Sequence, residues 1–357
     1  MEGFGTYNYE NGEYYIGHFK NNLRHGQGIY YYKNGKIKYD GEWINNKREG
    51  NNSRSNYENG DYYIGQYKDD LRSGQGTEYY KNGKKLFEGD WLNGTREGKG
   101  KYYYKDGGFY IGDCKNGLAN GKGELFYKNG KIKYKGDFIN SKLEGKGIYY
   151  LENGDKCEGD WTNDEIVSGK YIFKNGEFFE GKFQNGLPNG KGKYYKNGTI
   201  EYIGDWVNGK KEGYGKFYYK NGDYYIGQFK NDLQNGKGTD YYKNGKIQFE
   251  GYYVNDKKEG NGKFIFEDGN YYIGQFKNNL RKGEGIEYYK NGRMLYKGDW
   301  INDKRNGIGI YCYENGNYYI GQFSNHLPNG KGIKYYKNGT IEYLGHMVKG
   351  KKEGVGI

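Results

Sequence analysis

Residues 221–238 read NGDYYIGQFKNDLQNGKG. An Asn-Gly pair opens the stretch, Tyr225-x-Gly227-x-Phe229 follows, and Gly236-x-Gly238 closes it. In an extended strand, side chains at i, i+2 and i+4 share a face, so Tyr225, Gly227 and Phe229 line one side. Asn-Gly between such runs is a strong hairpin signal, because a type I′ turn needs both of its residues at positive φ. The stretch predicts a β-hairpin with one aromatic face. Its glycine leaves a slot in which a neighbouring strand's ring can lie flat.

Working outward, the pattern repeats along the chain. Its central glycine recurs at Gly17, Gly41, Gly65, Gly89, Gly112, Gly136, Gly159, Gly181, Gly204, Gly227, Gly251, Gly274, Gly298, Gly321 and Gly345, fifteen copies 22 to 24 residues apart. A Gly-x-Gly follows nine residues later in thirteen of them. After Gly41, Asn52 stands for the second glycine, and after Gly159 only Gly169 remains. Asn-Gly or Asp-Gly precedes every copy, and all five Trp sit two residues after a central glycine. The composition agrees, with 66 Gly, 47 Tyr and only 2 Pro in 357 residues. That excludes a collagen-like or Pro-rich chain and disfavours an ordinary compact core. The ring ladder reads as packing rather than as a ligand cage.

Tyr-x-Gly-x-Phe or Trp, a turn dipeptide and Gly-x-Gly, at about 23 residues per copy, resemble the MORN (membrane occupation and recognition nexus) repeat over essentially the whole sequence. The resemblance implies an all-β fold, an elongated single-layer antiparallel sheet of about fifteen hairpins, twisted and grooved. Some thirty strands at ~4.8 Å spacing would extend about 140 Å before twist. The family includes junctophilins, radial spoke head proteins and some phosphatidylinositol phosphate kinases. It implies a non-enzymatic scaffold or dimerisation module, often near membranes or the cytoskeleton. One continuous array over 1–357 is expected, paired over 1–156, irregular over 157–178 and paired again over 179–357.

The pairing is a second period of 47 residues. Turn dipeptides lie six residues before the central glycine in short copies and seven in long ones, and the two kinds alternate. Two consecutive short copies, at Gly159 and Gly181, interrupt the alternation, and the first carries Cys157 in an aromatic slot. Two readings of this odd copy stand, a weak point or an old unequal duplication. Short copies place Ile16, Ile64, Ile111, Ile226, Ile273 and Ile320 on the face opposite the rings, a candidate partner stripe. Long copies usually carry charge there.

Net charge is +12, which favours anionic surfaces without specifying one. Basic residues recur at one turn of the long copies: Lys47-Arg48, Arg96, Lys142, Lys210-Lys211, Lys257-Lys258, Lys304-Arg305 and Lys351-Lys352. They read either as a solvated edge that blocks aggregation or as a weak contact for anionic phospholipid or acidic protein. Most are followed by Glu, which halves the local field. The sequence begins and ends in mid-repeat, and unpaired strand edges favour homo-oligomers. The C-terminal copies at Gly321 and Gly345 are expected to contribute most, through Leu344, His346 and Met347.

Catalytic constellations are missing. The four His are isolated, no phosphate-binding loop or kinase signature occurs, and no cofactor or metal is implied. Cys114, Cys157 and Cys312 lack metal-ligand spacing, and the first two read as buried structural thiols. No secretory signal is legible, so a cytoplasmic setting, peripheral at membrane or cytoskeleton, is expected. Nucleic-acid binding is not expected, since the ladder occupies the rings. The alternatives are an extracellular cell-wall or carbohydrate-binding array, or the repeat region of a larger enzyme such as a phosphatidylinositol phosphate kinase. Protein partners are expected and their identity stays open.

Overall fold

The computed structural model describes residues 1–354. Among these residues there are 31 β-strands, and the paired strands run antiparallel to the next in sequence. The chain divides into two compact units, Met1–Gly176 and Glu177–Ile357. The division falls at the Asn175-Gly176 turn, near the end of the odd copy. In the first unit, hairpin follows hairpin from Gly3–Asn8 to Glu165–Ile172; in the second, from Phe178–Gln184 to Lys351–Glu353. Central glycines pair across strands with the Gly-x-Gly glycines, as in Gly17↔Gly28 and Gly227↔Gly238.

That pairing is enforced by a ring. The ring two residues before the central glycine, Tyr in eleven copies and Phe in three, folds over that glycine on its own strand as well as over the glycine that faces it on the next. A Cβ on Gly227 would lie 2.3 Å from the Tyr225 Oη, and one on Gly238 2.2 Å from the same atom. The Tyr225 hydroxyl reaches past both glycines and donates to the Gln228 carbonyl at 3.1 Å. Tyr15, Tyr63, Tyr110, Tyr202 and Tyr319 make the same bond three residues onward. Each is fully buried. The next aromatic on the strand meets these rings edge-on, so Tyr202, Phe229, Tyr225, Tyr253, Phe249 and Phe276 form one zipper at centroid distances of 5.0–5.5 Å. Cys114 and Cys157 fill ring positions and are buried. Burial holds both thiols up at about 11.

The two ends of each hairpin turn differently, which corrects the expected turn type. At Asn221-Gly222 only the glycine is left-handed (φ 91°), and its N–H donates to the Tyr219 carbonyl at 3.0 Å. This is a type I turn with a glycine bulge. The two-residue turn with both φ positive lies at the opposite end, at Asn231-Asp232 (49° and 71°), Asn45-Asn46 or Asp69-Asp70. Asn197-Gly198 is the one expected dipeptide that does form it (52° and 77°). The copy after Gly41 brings a further correction. Ser53, not Asn52, stands where the second glycine belongs, after a register shift between Gly50 and Ser53. Tyr39 donates to its Oγ at 2.8 Å.

Candidate functional site

Alternation along a strand decides where the basic pairs point. The first member of each pair is exposed at the edge: Lys47, Lys142, Lys210, Lys257, Lys304 and Lys351. Lys47 is held by Asp69 at 2.7 Å, and Lys142 and Lys304 reach Asn163 and Asn325 at 3.0 and 3.2 Å. The second member turns onto the aromatic face, so the expected row of twelve edge cations is really two rows of six. Arg48 lies 4.9 Å from the Tyr67 ring and pairs with Asp70. Lys211 lies over Tyr202 and Phe217, and burial there lowers its pKa. Lys258 meets Asp240 at 3.0 Å. Lys352 reaches Glu342 at 3.4 Å.

Short copies supply to this inner row residues that the sequence reading missed. Arg24 stacks 3.9 Å from the Trp43 ring, Arg72 4.1 Å from Trp91 and Arg281 4.1 Å from Trp300. The signal was there, a basic residue two positions before Gly-x-Gly in short and long copies alike. Arg72 and Arg96 share Glu78, and Arg281 and Arg305 share Glu287. Arg305 approaches Glu287 at 2.7 Å, and the three side chains are 11–15 % exposed. These cations satisfy one another's neighbours and clamp the zipper. The glutamates after the basic pairs do similar work: Glu49, Glu144 and Glu212 accept the N–H of the next tight turn at Asp69, Asn163 and Asn231.

The opposite face carries the isoleucines. Ile111, Ile226, Ile273 and Ile320 are 37–44 % exposed, while Ile16 and Ile64 are half-buried. Tyrosines beside them stack in pairs, Tyr224 on Tyr241 at 4.7 Å and Tyr318 on Tyr335 at 4.6 Å. Through much of the first unit a ladder of Lys99–Asp113, Lys122–Asp137 and Lys146–Asp160 pairs covers this face. Near the end of the second unit the ladder gives way to a continuous aliphatic row, Ile310↔Ile320↔Ile333↔Leu344, on four successive strands. Leu344 and His346 are exposed there, but Met347 is not. It is 3 % exposed and fills a ring position of the zipper, so it adds no surface.

A protein made of successive hairpins, most of them pinned at paired glycines, with a ring zipper on one face, belongs to the class of hairpin-repeat proteins. The chain belongs to the MORN repeat family, whose model matches residues 1–14, 15–37, 39–51, 63–85, 87–109, 110–132, 134–156, 157–178, 179–200, 202–224, 225–247, 249–271, 272–292, 296–318 and 319–341. MORN repeats are the one family matched, and no catalytic domain is evident among them. No curated protein matches the sequence. A solved protein of unknown function from Bacteroides caccae aligns over 78 % of this chain and 91 % of its own at 10 % identity, with a TM-score of 0.14, too low to bear on the fold. Among the described residues no cluster of His, Cys, Asp and Glu could hold a metal ion.

Proposed function

We propose that this chain is a non-enzymatic scaffold that docks proteins on the face opposite its ring zipper, and that a second copy of itself is one such partner. The supporting observation is the aliphatic row Ile310, Ile320, Ile333 and Leu344, with Ile308 (68 % exposed) and Ile341 (52 %) flanking it. Solvated sheet faces normally carry polar residues, and a run of aliphatics on neighbouring strands, half-buried at Ile310 and Ile333 and exposed at Ile320 and Leu344, favours association. The inner cations stay with the zipper, so any contact of the tight-turn edge with acidic lipid or protein rests on its outer lysines alone. Light scattering tests the reading. The parent chain should exceed monomer mass at tens of micromolar, and an Ile320→Lys/Ile333→Lys variant should return to it. A parent that stays monomeric while folded removes self-association from the proposal.

A further inference from the structure

The long-turn end of the hairpins carries charge of its own, apart from the edge singled out by sequence. Long copies read Tyr-Lys-Asn-Gly-Lys there, as at Tyr32–Lys36 and Tyr80–Lys84, whereas short copies place an acid at one or both of the same two positions, both in Glu58/Asp61 and Glu152/Asp155 and one in Lys220/Asp223 and Glu314/Asn317. Basic turns therefore sit between acidic or neutral ones along most of this edge. One short copy alone has an acid at neither position. Its turn reads Tyr104-Lys105-Asp106-Gly107-Gly108, with Lys and Gly where the acids belong. Three successive turns, 80–85, 104–108 and 127–133, then hold seven lysines against the single Asp106. Lys85 alone of these is in an ion pair among the described residues, with Glu88 at 2.7 Å.

The missing acid also had a structural duty. Asp61 accepts the Lys81 N–H at 2.9 Å and Asp155 the Lys174 N–H at 2.8 Å, each bridging its turn to the next. Gly108 has no side chain to do this for Lys128. Between the first two turns opens a cleft of about 660 Å³ lined by Tyr80, Tyr103 and Tyr104, with Lys81, Lys84 and Lys105 at its rim and Asp61 at one side. The fold builds such a cleft elsewhere without this charge. One super-repeat earlier, a cleft of about 730 Å³ sets Lys33, Lys36 and Arg54 against Asp40 and Glu58. Shape is common to both; net charge is particular to one.

We propose that the Tyr80–Tyr104 cleft binds a compact anion bearing several phosphate groups. Lysine serves phosphate as a mobile point charge, the tyrosine walls take a small ring, and the volume is that of a small-molecule site. An extended acidic peptide would spread over the edge, whereas these lysines gather round one opening. The anion can be free or the headgroup of a lipid. The site is independent of the docking face and of self-association.

Titration calorimetry of the full chain with inositol hexakisphosphate tests the cleft, and flotation with phosphatidylcholine vesicles carrying phosphatidylinositol bisphosphate tests the source. Saturable, salt-sensitive binding is expected, weakened by about tenfold or more in Lys81→Glu/Lys84→Glu/Lys105→Glu. Lys33→Glu/Lys36→Glu, in the sister cleft, should bind as the parent does. Flotation that inositol hexakisphosphate competes away assigns a lipid headgroup; calorimetric binding without flotation assigns a free anion. No saturable binding of either probe overturns the proposal. So does equal loss in both variants, which reduces the effect to bulk charge. The substituted lysines are exposed, and an unchanged circular dichroism spectrum verifies the fold of each variant.

Discussion

Gly238→Ala is the smallest change that should break a hairpin. The new methyl would sit 2.2 Å from the Tyr225 Oη and Cε2 and 2.4 Å from Cζ, well inside van der Waals contact. No far end of a flexible chain can yield, because the ring is fully buried, wedged edge-on between Phe229 and Tyr253, and tied to the Gln228 carbonyl. Either the strands separate at Gly227↔Gly238 or the ring leaves. Overpacking a tight core costs ~1–3 kcal/mol, and losing a buried aromatic ~3–5 kcal/mol, so about 3 kcal/mol is the expected penalty. Repeat proteins open locally, so the loss should concentrate in hydrogen exchange of the Tyr224–Lys230 and Leu233–Tyr241 strands and fade within a hairpin or two. A double-mutant cycle gives the sharper reading. In a Tyr225→Ala background the same Gly238→Ala change meets no ring, and its cost should fall below ~1 kcal/mol. Equal costs in the two backgrounds would refute the ring-over-glycine account.

Further outcomes follow from the same geometry. Glu287→Gln removes the charge shared by Arg281 and Arg305 and should destabilise the surrounding hairpins by ~3 kcal/mol in urea melts, whereas an unchanged midpoint would mean that the arginines find other partners. Buried tyrosines such as Tyr15 and Tyr272, pushed up to about 12 by desolvation, contribute stability that is intact below the ordinary tyrosine value of 10.0 and is lost as pH rises through about 12. Urea midpoints should therefore drop steeply above about pH 10, and a flat profile there contradicts the burial. In the native chain Cys312, only partly buried, should react with iodoacetamide before Cys114 and Cys157, as mass spectrometry of the labelled peptides can show. The Cys157–Lys170 region, where Gly159 faces Gly169 with no ring laid between them, should exchange fastest among interior hairpins of the first unit.

Hairpin number, order and the identity of the ring face were legible in the sequence, because Gly227 and Gly238 can be nothing but slots beside Tyr225 and Phe229. Turn geometry was not. Asn-Gly draws the eye to Asn221-Gly222, yet the tight turn is spelled Asn231-Asp232, and Asn and Asp tolerate the left-handed region well enough to hide it. Ser53 takes the place expected of Asn52 through a bulge that no spacing announces. The two-residue period that sends Lys47 outward and Arg48 inward was available, but reading them as a pair concealed it. Leu344, Tyr343 and Met347 look alike as apolar residues, and only register separates the exposed one from the two that complete the zipper.

The bridges between turns have a consequence for how such a chain can change length. A glutamate of a long copy, such as Glu49, holds the tight turn of the short copy that follows, at Asp69. At the other edge an acid of that short copy, Asp61, holds the opening of the next long copy, at Lys81. Each hairpin thus carries a lock for its successor and a key cut for its predecessor, and the two kinds alternate except at the Gly159 and Gly181 copies, where Asp155 of one short copy bridges to Lys174 of the next. Inserting or excising one hairpin puts two like copies side by side and loses the glutamate bridge of a long copy at that junction, whereas a whole pair restores every match. Genetic gain and loss of length should accordingly favour pairs, with the odd copy at Gly159 as this chain's one departure, and designed arrays built from a pair should tolerate truncation that arrays built from a single hairpin do not.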